Sequence, residues 1–374
     1  MFDHPTVGYI SVDFVILTLI YMCLSPVLIR QKAVSKLRLN CGIFLSVLFC
    51  VLALWSGDWY HYKVIFEKLN EYSNWTSHME GIYDFLIKYV CPDYLSFRLL
   101  VWGTTLGFYY MIVKRLGLNQ YYAWTIFGLG FLPFFSYARA SIVPATFILG
   151  ATFIFVPMLR QKKESVSLGL LLIFLSVFLH KSGFLGVLIM LFCFVVPQTT
   201  KNSWFYFLLG FVVASFTLQY LFRYALSLDF GDESYISYFT ERARDTASSN
   251  FYGSLSIGPR IVKILEQVPY VLTAILAFKI QNEYQAPKGI MTIIKFEFYM
   301  VFFSLFFLLD LGASTSDLYV RYLRYTIISG AVTLAYAYQY GLFKRYTKFI
   351  IWLSVFCSFY QVAYEMYCKL MNQG

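Results

Sequence analysis

Apolar runs recur along the whole chain with short polar segments between them, and many are long enough to cross a bilayer as a helix. A membrane-spanning helix needs roughly 20 predominantly apolar residues, and by this measure we expect about twelve spans. Their approximate bounds are 9–29, 39–56, 97–113, 121–137, 142–159, 165–180, 183–197, 203–222, 261–279, 296–312, 321–341 and 349–368. Charged residues make up 13% of the 374, about half the share in soluble domains. The sequence therefore predicts an all-α, polytopic integral membrane protein, with residues 1–374 forming a single transmembrane domain.

Basic residues gather in small clusters between the apolar runs, at 30–38, 114–117, 160–163 and 344–348. Short loops rich in Lys and Arg lie on the cytoplasmic side of a membrane. If the first cluster lies inside, the other three also fall inside, and two longer polar segments near 57–96 and 223–260 fall outside. This distribution accounts for the net charge of +10 without a nucleic-acid partner.

The motifs of several enzyme classes are missing from the sequence. The seven cysteines form no CxxC pair, which argues against a zinc site or a disulfide framework. There is no D-x-D, Walker A or G-x-S-x-G motif, so we expect neither a metal nor a cofactor. Glu297 and Asp310 are carboxylates within apolar runs, and the sequence leaves their role open.

Two polar residues at the ends of apolar runs are candidates for a site. Arg139 lies between two such runs and is bracketed by Pro133 and Pro144, in "FLPFFSYARASIVPATF" (131–147). It either binds an anion or reaches the lipid headgroups as an anchor. His180 borders an apolar run in "LSVFLHKSGFLGVL" (175–188). An imidazole there can act as a general base or an anion ligand, or lie among the headgroups.

Other candidates lie where polar segments meet apolar runs. Asp58 and Tyr62 lie in "SGDWYHY" (56–62), and Glu80 opens a later segment. The two carboxylates are candidate bases, or else solvated surface groups. Arg321 and Arg324, in "DLYVRYLRYT" (317–326), are three residues apart. On a helix they would share a face and could clamp a phosphate, or anchor to headgroups.

The order of these residues along the chain resembles that in the EpsG family of bacterial exopolysaccharide and O-antigen (Wzy-type) polymerases. The resemblance rests on Asp58-x-x-x-Tyr62, on Glu80, on Arg139 opening an apolar run, on the basic loop "RQKKE" (160–164) and on His180-x-Ser182. Pro144 departs from the family, which more often keeps an uninterrupted helix of small residues there. O-antigen polymerases also carry R-x10-G and R-x15-G patterns, whose spacings Arg139 with Gly150 and Arg242 with Gly258 match.

The resemblance implies a metal-independent polymerase that uses oligosaccharide repeats linked to undecaprenyl pyrophosphate. It implies a glycosyltransferase-C-like fold in the bacterial inner (cytoplasmic) membrane, with the site on the periplasmic side. Its partners would be the lipid-linked oligosaccharide, membrane lipids, and a chain-length regulator and a flippase of the same pathway. The implied catalytic residues are His180, Asp58 and Glu80, and the implied substrate-binding residues are Arg139, Arg321, Arg324, Tyr62, Ser182 and Arg242.

Two other functions remain open at this stage. A lipid-linked oligosaccharide flippase or transporter also has about twelve spans, but internal repeats and charges at the midplane are expected of it. Neither feature is evident in the sequence. Another membrane glycosyltransferase that uses polyprenyl-linked sugars would carry acidic residues in its first outer loop, a description that Asp58 also fits.

Overall fold

The computed structural model describes residues 6–7, 10–30, 35–52, 57–71, 81–132, 138–156, 162–180, 183–196, 257–308 and 322–371. Within these ranges the chain is almost entirely helical. A small antiparallel hairpin pairs Thr6–Val7 with Ile10–Ser11. The helices are α1 Val12–Arg30, α2 Lys36–Leu52, α3 Gly57–Glu71, α4 Gly81–Phe85, α5 Tyr94–Arg115, α6 Gln120–Gly130, α7 Ala138–Phe155, α8 Lys162–Leu179, α9 Gly183–Val195, α10 Ile257–Glu283, α11 Lys288–Leu308, α12 Ile327–Gln339 and α13 Lys344–Met371.

The all-α prediction is confirmed, but the prediction of a polytopic protein with about twelve transmembrane helices is wrong. Among the described residues, no helix combines the length and the apolar character that crossing a membrane requires. Part of the difference is length, because α6 has 11 residues and α9 and α12 have 13 each, whereas a span takes roughly 20. The predicted span at 203–222 lies outside the described residues.

The structure describes most of the first long polar segment but only the end of the second. The segment near 57–96 contains α3, α4 and a π-helical turn, Leu86–Val90, before α5 begins. The described parts of this segment, 57–71 and 81–96, are mostly helical. The segment near 223–260 lies outside the described residues as far as the start of α10.

Local signals in the sequence set several helix ends. The Asp93 carboxylate accepts a hydrogen bond from the backbone N–H of Ser96 at 2.6 Å and so caps the start of α5. The Asn119 side chain does the same for α6, accepting from the N–H of Tyr121 at 2.9 Å. Such caps satisfy donors that the first helical turn leaves unpaired.

Helix α6 lies in the centre of the bundle. Its residues from Ala123 to Gly130 are all buried, and it packs against α1, α12 and α13. The hydroxyl of Ser358 on α13 donates to the carbonyl of Gly130 at 2.6 Å. A helix that is apolar on all sides is stable only when it is surrounded in this way.

Among the described helices, α7 and α8 form the most extensive pairwise contact. At their crossing, a Cβ added to Gly150 would lie 2.6 Å from the carbonyl oxygen of Gly169, and one added to Gly169 would lie 2.6 Å from that of Gly150. Further along, the Ser165 hydroxyl donates to the Phe153 carbonyl at 2.7 Å. Since later residues of α7 meet earlier residues of α8, the two helices are antiparallel.

Arg115 joins the end of α5 to the end of α7. The Arg115 guanidinium, at the end of α5, donates to the Val156 carbonyl just after α7 at 2.7 Å and lies 3.7 Å from the Phe153 ring centroid. Gly289, near the start of α11, packs against the Val156 side chain. We call this the Arg115 end of the bundle, and the opposite end, where α5 and α7 begin and α8 finishes, the His180 end.

We expect Gly169→Ala to destabilise the protein, because the new methyl group would meet backbone that cannot move aside without separating α7 from α8. Overpacking of this kind costs about 1–3 kcal/mol. Gly107→Ala on α5 is the matched control, since nothing lies within 4 Å of its added Cβ. There the gain in helix propensity predicts a stabilisation of up to about 1 kcal/mol. Thermal unfolding of the purified variants measures both, and equal midpoints would contradict the packing argument.

Candidate functional site

The antiparallel register of α7 and α8 brings two of the predicted site residues to one level. Arg139 precedes Gly150 by eleven residues, and His180 follows Gly169 by eleven. Because both helices rise 1.5 Å per residue, each residue lies about 16 Å from the glycine contact, in the same direction. The first turn of α7, which contains Arg139, is therefore level with the end of α8.

The start of α9 joins the same end of the bundle. The backbone N–H of Gly183 donates to the His180 carbonyl at 2.8 Å. A Cβ added to Gly183 would lie 2.8 Å from the Val143 side chain of α7 and 3.1 Å from the Ser176 carbonyl of α8. Val143 is one turn after Arg139. Thus the starts of α7 and α9 converge on the half-buried His180.

Arg324 comes from another part of the chain to the half of the bundle nearer the His180 end. It opens a 3₁₀ turn, Arg324–Thr326, immediately before α12. The neighbouring Tyr325 ring stacks on Phe147 of α7, with centroids 6.5 Å apart and an interplanar angle of 8°. A Cβ on Gly186 of α9 would lie 3.0 Å from Phe147 and 3.4 Å from Tyr325. The turn that carries the half-buried Arg324 is therefore packed against both α7 and α9.

A contact with helix α11 shows which half of the bundle holds this turn. Phe303 contacts Tyr322, with ring centroids 6.1 Å apart. Phe303 is fourteen residues beyond Gly289, which lies at the Arg115 end. Fourteen helical residues span about 21 Å, so the Tyr322 contact lies well towards the His180 end. Arg324 follows Tyr322 by two residues.

Asp58 and Tyr62 lie on α3, a helix that packs against the start of α5. Asp58 is in the first turn of α3, and Tyr62, one turn later, is buried. The Phe66 ring of α3 packs against Tyr94 and Phe97 at the start of α5, with centroid distances of 5.9 and 6.4 Å. Helix α5 in turn packs against α7. The burial of Tyr62 leaves little of its ring for contact with a substrate.

The remaining predicted residues fall outside the part of the chain that the structure describes. These are Glu80, Ser182, Arg242 and Arg321, and their roles stay predictions. Gly150, which the arginine–glycine spacing had linked to Arg139, has a packing role at the α7–α8 contact. Among the described residues, no group of three His, Cys, Asp or Glu side chains is arranged to hold a metal ion.

A buried carboxyl group in α11 has an environment that the sequence did not predict. Glu297 is fully buried, and the Ser329 hydroxyl of α12 donates to its Oε2 at 2.6 Å. A Cβ on Gly330 would lie 3.3 Å from Oε1, so this glycine leaves room for the carboxyl group. Burial raises the pKa of Glu297 to about 8, and the hydrogen bond from Ser329 opposes part of that rise. Its position in the apolar run "IIKFEFYM" (293–300) was the signal available.

A second buried polar group joins the starts of α1 and α5 to the end of α2. The Arg98 guanidinium donates to the Cys50 carbonyl at 2.7 Å, and its carbon lies 6.0 Å from the Tyr94 ring centroid. Burial lowers the pKa of Arg98, whereas Tyr94, Cys50 and the buried Asp13 oppose that shift. These contacts fasten the helices beside the His180 end.

We expect Glu297→Gln to remove a pH dependence of stability. Between the ordinary carboxyl pKa of about 4.3 and the folded value of about 8, the folded protein keeps a proton that the unfolded chain has lost. Stability therefore falls as pH rises through this window, by up to about 1.4 kcal/mol per pH unit, and then levels off. The glutamine variant should become increasingly more stable than wild type from pH 5 to 8. Unfolding midpoints across this range measure the difference, and parallel curves would refute it.

The sequence profile of the EpsG family matches residues 37–371. No curated protein and no solved structure matches the chain. The profile match runs from the first turn of α2 to the last residue of α13 and includes α3, α7, the end of α8 and the Arg324 turn. The chain therefore belongs to the EpsG family.

Proposed function

We propose that the protein joins lipid-linked oligosaccharide repeats into a polysaccharide, as a metal-independent glycosyltransferase. Membership of the EpsG family supports a polysaccharide polymerase. In the finer proposal, the repeats are carried on undecaprenyl pyrophosphate. The growing chain is transferred from its lipid to a new repeat at the periplasmic face of a bacterial cytoplasmic membrane. The product is an O-antigen, capsular or exopolysaccharide.

Two helix starts and two segments that carry arginines lie in the half of the bundle nearer the His180 end, and this arrangement supports the proposal. Arg139 is in the first turn of α7, and Arg324 is on a turn packed against α7 and α9. Helices α7 and α9 both begin at this end, and a helix start is equivalent to roughly half a positive charge. Helix starts with nearby arginines suit a phosphate-bearing substrate.

The reaction needs these charges at its leaving group. In the proposed step, a hydroxyl oxygen of the new repeat attacks the anomeric carbon at the end of the growing chain. The bond from that carbon to the pyrophosphate oxygen breaks, and the lipid pyrophosphate leaves with the electron pair. Arg139 and Arg324, with Arg321 and Arg242 as further candidates, stabilise the negative charge that develops.

The hydroxyl also gives up a proton, for which His180 is the proposed base. His180 is half-buried and lies level with the first turn of α7, close to where the leaving group would bind. Asp58 and Glu80 are the other candidate bases. Ser182 is proposed to contact the sugar, whereas the buried Tyr62 is assigned no contact with it.

The lipid carrier requires the protein to reach a bilayer. Large apolar side chains are exposed along α8 and α9, including Leu171, Phe174, Phe178, Phe184, Leu188 and Phe192. Exposed apolar surface of this kind marks a site of interaction with lipid or protein. We propose that it contacts membrane lipid, and that a flippase and a chain-length regulator act beside the protein in the same pathway.

We expect Arg139→Lys to lose most of the polymerase activity. A guanidinium can bind two phosphate oxygens through its rigid fork, whereas an ammonium group is a point charge. Loss of one preorganised donor at an anion-stabilising site costs about 2.7–4 kcal/mol, or roughly 100- to 1,000-fold in rate. The assay follows polymer formed by the purified protein from lipid-linked repeats.

Arg345→Lys is the matched control, because Arg345 is exposed in the first turn of α13 and takes no part in the proposed reaction. It should leave the rate unchanged. Wild-type activity in the Arg139→Lys variant would show that Arg139 is an anchor and would remove it from the site.

We expect His180→Gln to lower the rate about 100- to 10,000-fold, as the loss of a general base does. Glutamine keeps hydrogen bonding but cannot accept the proton. The same assay measures the loss. If the variant keeps its activity, His180 only positions the substrate, and the base must be sought at Asp58 or Glu80.

In cells, loss of the protein should leave lipid-linked material with a single repeat instead of a long polymer. A polymerase joins repeats that have already been assembled and exported, so its substrate remains when it is absent. Gel analysis of the surface polysaccharide distinguishes the two outcomes. Loss of the single-repeat form as well would favour a flippase or an earlier transferase.

A further inference from the structure

We infer that Glu297 is a positioning residue, which acts through Ser329 to hold the turn that carries Arg324 against α7 and α9. This inference rests on the proposed function, in which Arg324 binds the pyrophosphate. Glu297 does not itself contact the substrate in this scheme. It determines where Arg324 is placed.

The turn itself is held by a series of hydroxyl contacts. The Thr326 hydroxyl donates to the Leu323 carbonyl at 2.6 Å. The Ser329 hydroxyl points back towards the turn, with its oxygen 3.2 Å from the Thr326 carbonyl. A 3₁₀ segment joined to an α-helix often marks a functional hinge or a strained sequence. The contacts at Thr326 and Ser329 therefore determine how α12 continues from the Arg324 turn.

Glu297 connects this turn to a separate helix. Its Oε2 accepts the short hydrogen bond from Ser329, which joins α11 to α12. Through that bond, the rotation of α12 about its own axis is fixed relative to α11. Since Tyr325 is stacked on Phe147 on the other side, the turn is held between α11 and α7.

Stability alone gives little reason for a carboxyl group at this position. Glu297 is fully buried, and burying a polar group costs free energy unless its hydrogen bonds are made. Replacing both partners of a buried hydrogen bond by apolar groups of the same shape can be nearly neutral for stability. What leucine could not supply is the directional contact with Ser329. The specific effect of the carboxyl group is thus on geometry.

The placement of Arg324 matters because charge stabilisation depends steeply on distance. A displacement of about 1 Å in a catalytic arrangement can cost roughly 100-fold in rate. Ser329 follows Arg324 by five residues, so a small rotation at Ser329 moves the start of the turn. A displaced Arg324 should stabilise the leaving group less well, because the negative charge on that group is greatest after the bond has broken.

The test uses variants that separate the hydrogen bond from the filled volume. Glu297→Leu fills the space without an acceptor, Ser329→Ala removes the donor, and Glu297→Gln keeps an acceptor. We expect the first two to lower kcat about 10- to 100-fold with little change in KM, and the third to stay near wild type. Ser46→Ala is the matched control, because Ser46 is also buried but its hydroxyl donates to Gly42 within α2.

A second measurement does not depend on polymerisation. Free inorganic pyrophosphate resembles the leaving group, and calorimetry can follow its binding to the full-length protein. We expect Glu297→Leu and Arg324→Lys each to weaken binding about tenfold, and the double variant to bind no more weakly than Arg324→Lys alone. Such non-additivity is expected only if Glu297 acts through Arg324.

The outcomes separate the inference from the proposed function. A folded Glu297→Leu protein that binds pyrophosphate like wild type overturns the inference, as does full additivity with Arg324→Lys. The wild-type protein could instead make no polymer, while the effects of Glu297→Leu and Arg324→Lys on pyrophosphate binding are non-additive. In that case the proposed function fails, but the positioning role of Glu297 is supported.

Discussion

The close contact of Gly150 with Gly169 fixes how α7 lies against α8, and the placement of the candidate site follows from it. With no side chain at either position, the two backbones approach closely enough that an added Cβ would touch the opposite carbonyl. This contact sets both the spacing and the register of the pair. Arg139 and His180 are each about 16 Å away, yet the register makes them level with each other.

The electrostatics of the His180 end arise from the same packing. Gly183 and Gly186 allow α9 to approach Val143 and Phe147 of α7, and this brings two helix starts side by side. The Arg324 turn then packs against that pair through Tyr325. In the proposed reaction, fixed dipoles and cations stabilise the departing pyrophosphate. The small residues at these contacts make such an arrangement possible.

Much of this was predictable from residue types and spacing, but not all of it. The all-α class and the EpsG family followed from the apolar runs and from the order of Asp58, Arg139 and His180. The prediction of membrane-spanning helices was wrong, in part because apolar runs do not fix where a helix ends: α6, α9 and α12 are shorter than their runs suggested. The partner of Glu297 was also beyond sequence reasoning, since Ser329 is thirty-two residues away and meets it only through tertiary packing.

The packing contacts that position the site stabilise the fold, whereas the buried carboxyl group of Glu297 destabilises it. At Gly150 and Gly169, close packing stabilises the α7–α8 pair and also aligns Arg139 with His180, so a change there should lower stability and activity together. Glu297 is different, because its burial works against folding as pH rises through the range in which the carboxyl would ionise in the unfolded chain. We therefore expect Glu297→Leu to lower activity without a matching loss of stability. A substitution that lowers stability and activity together marks a residue that holds the bundle together. One that lowers activity alone marks a residue that sets the geometry of the site.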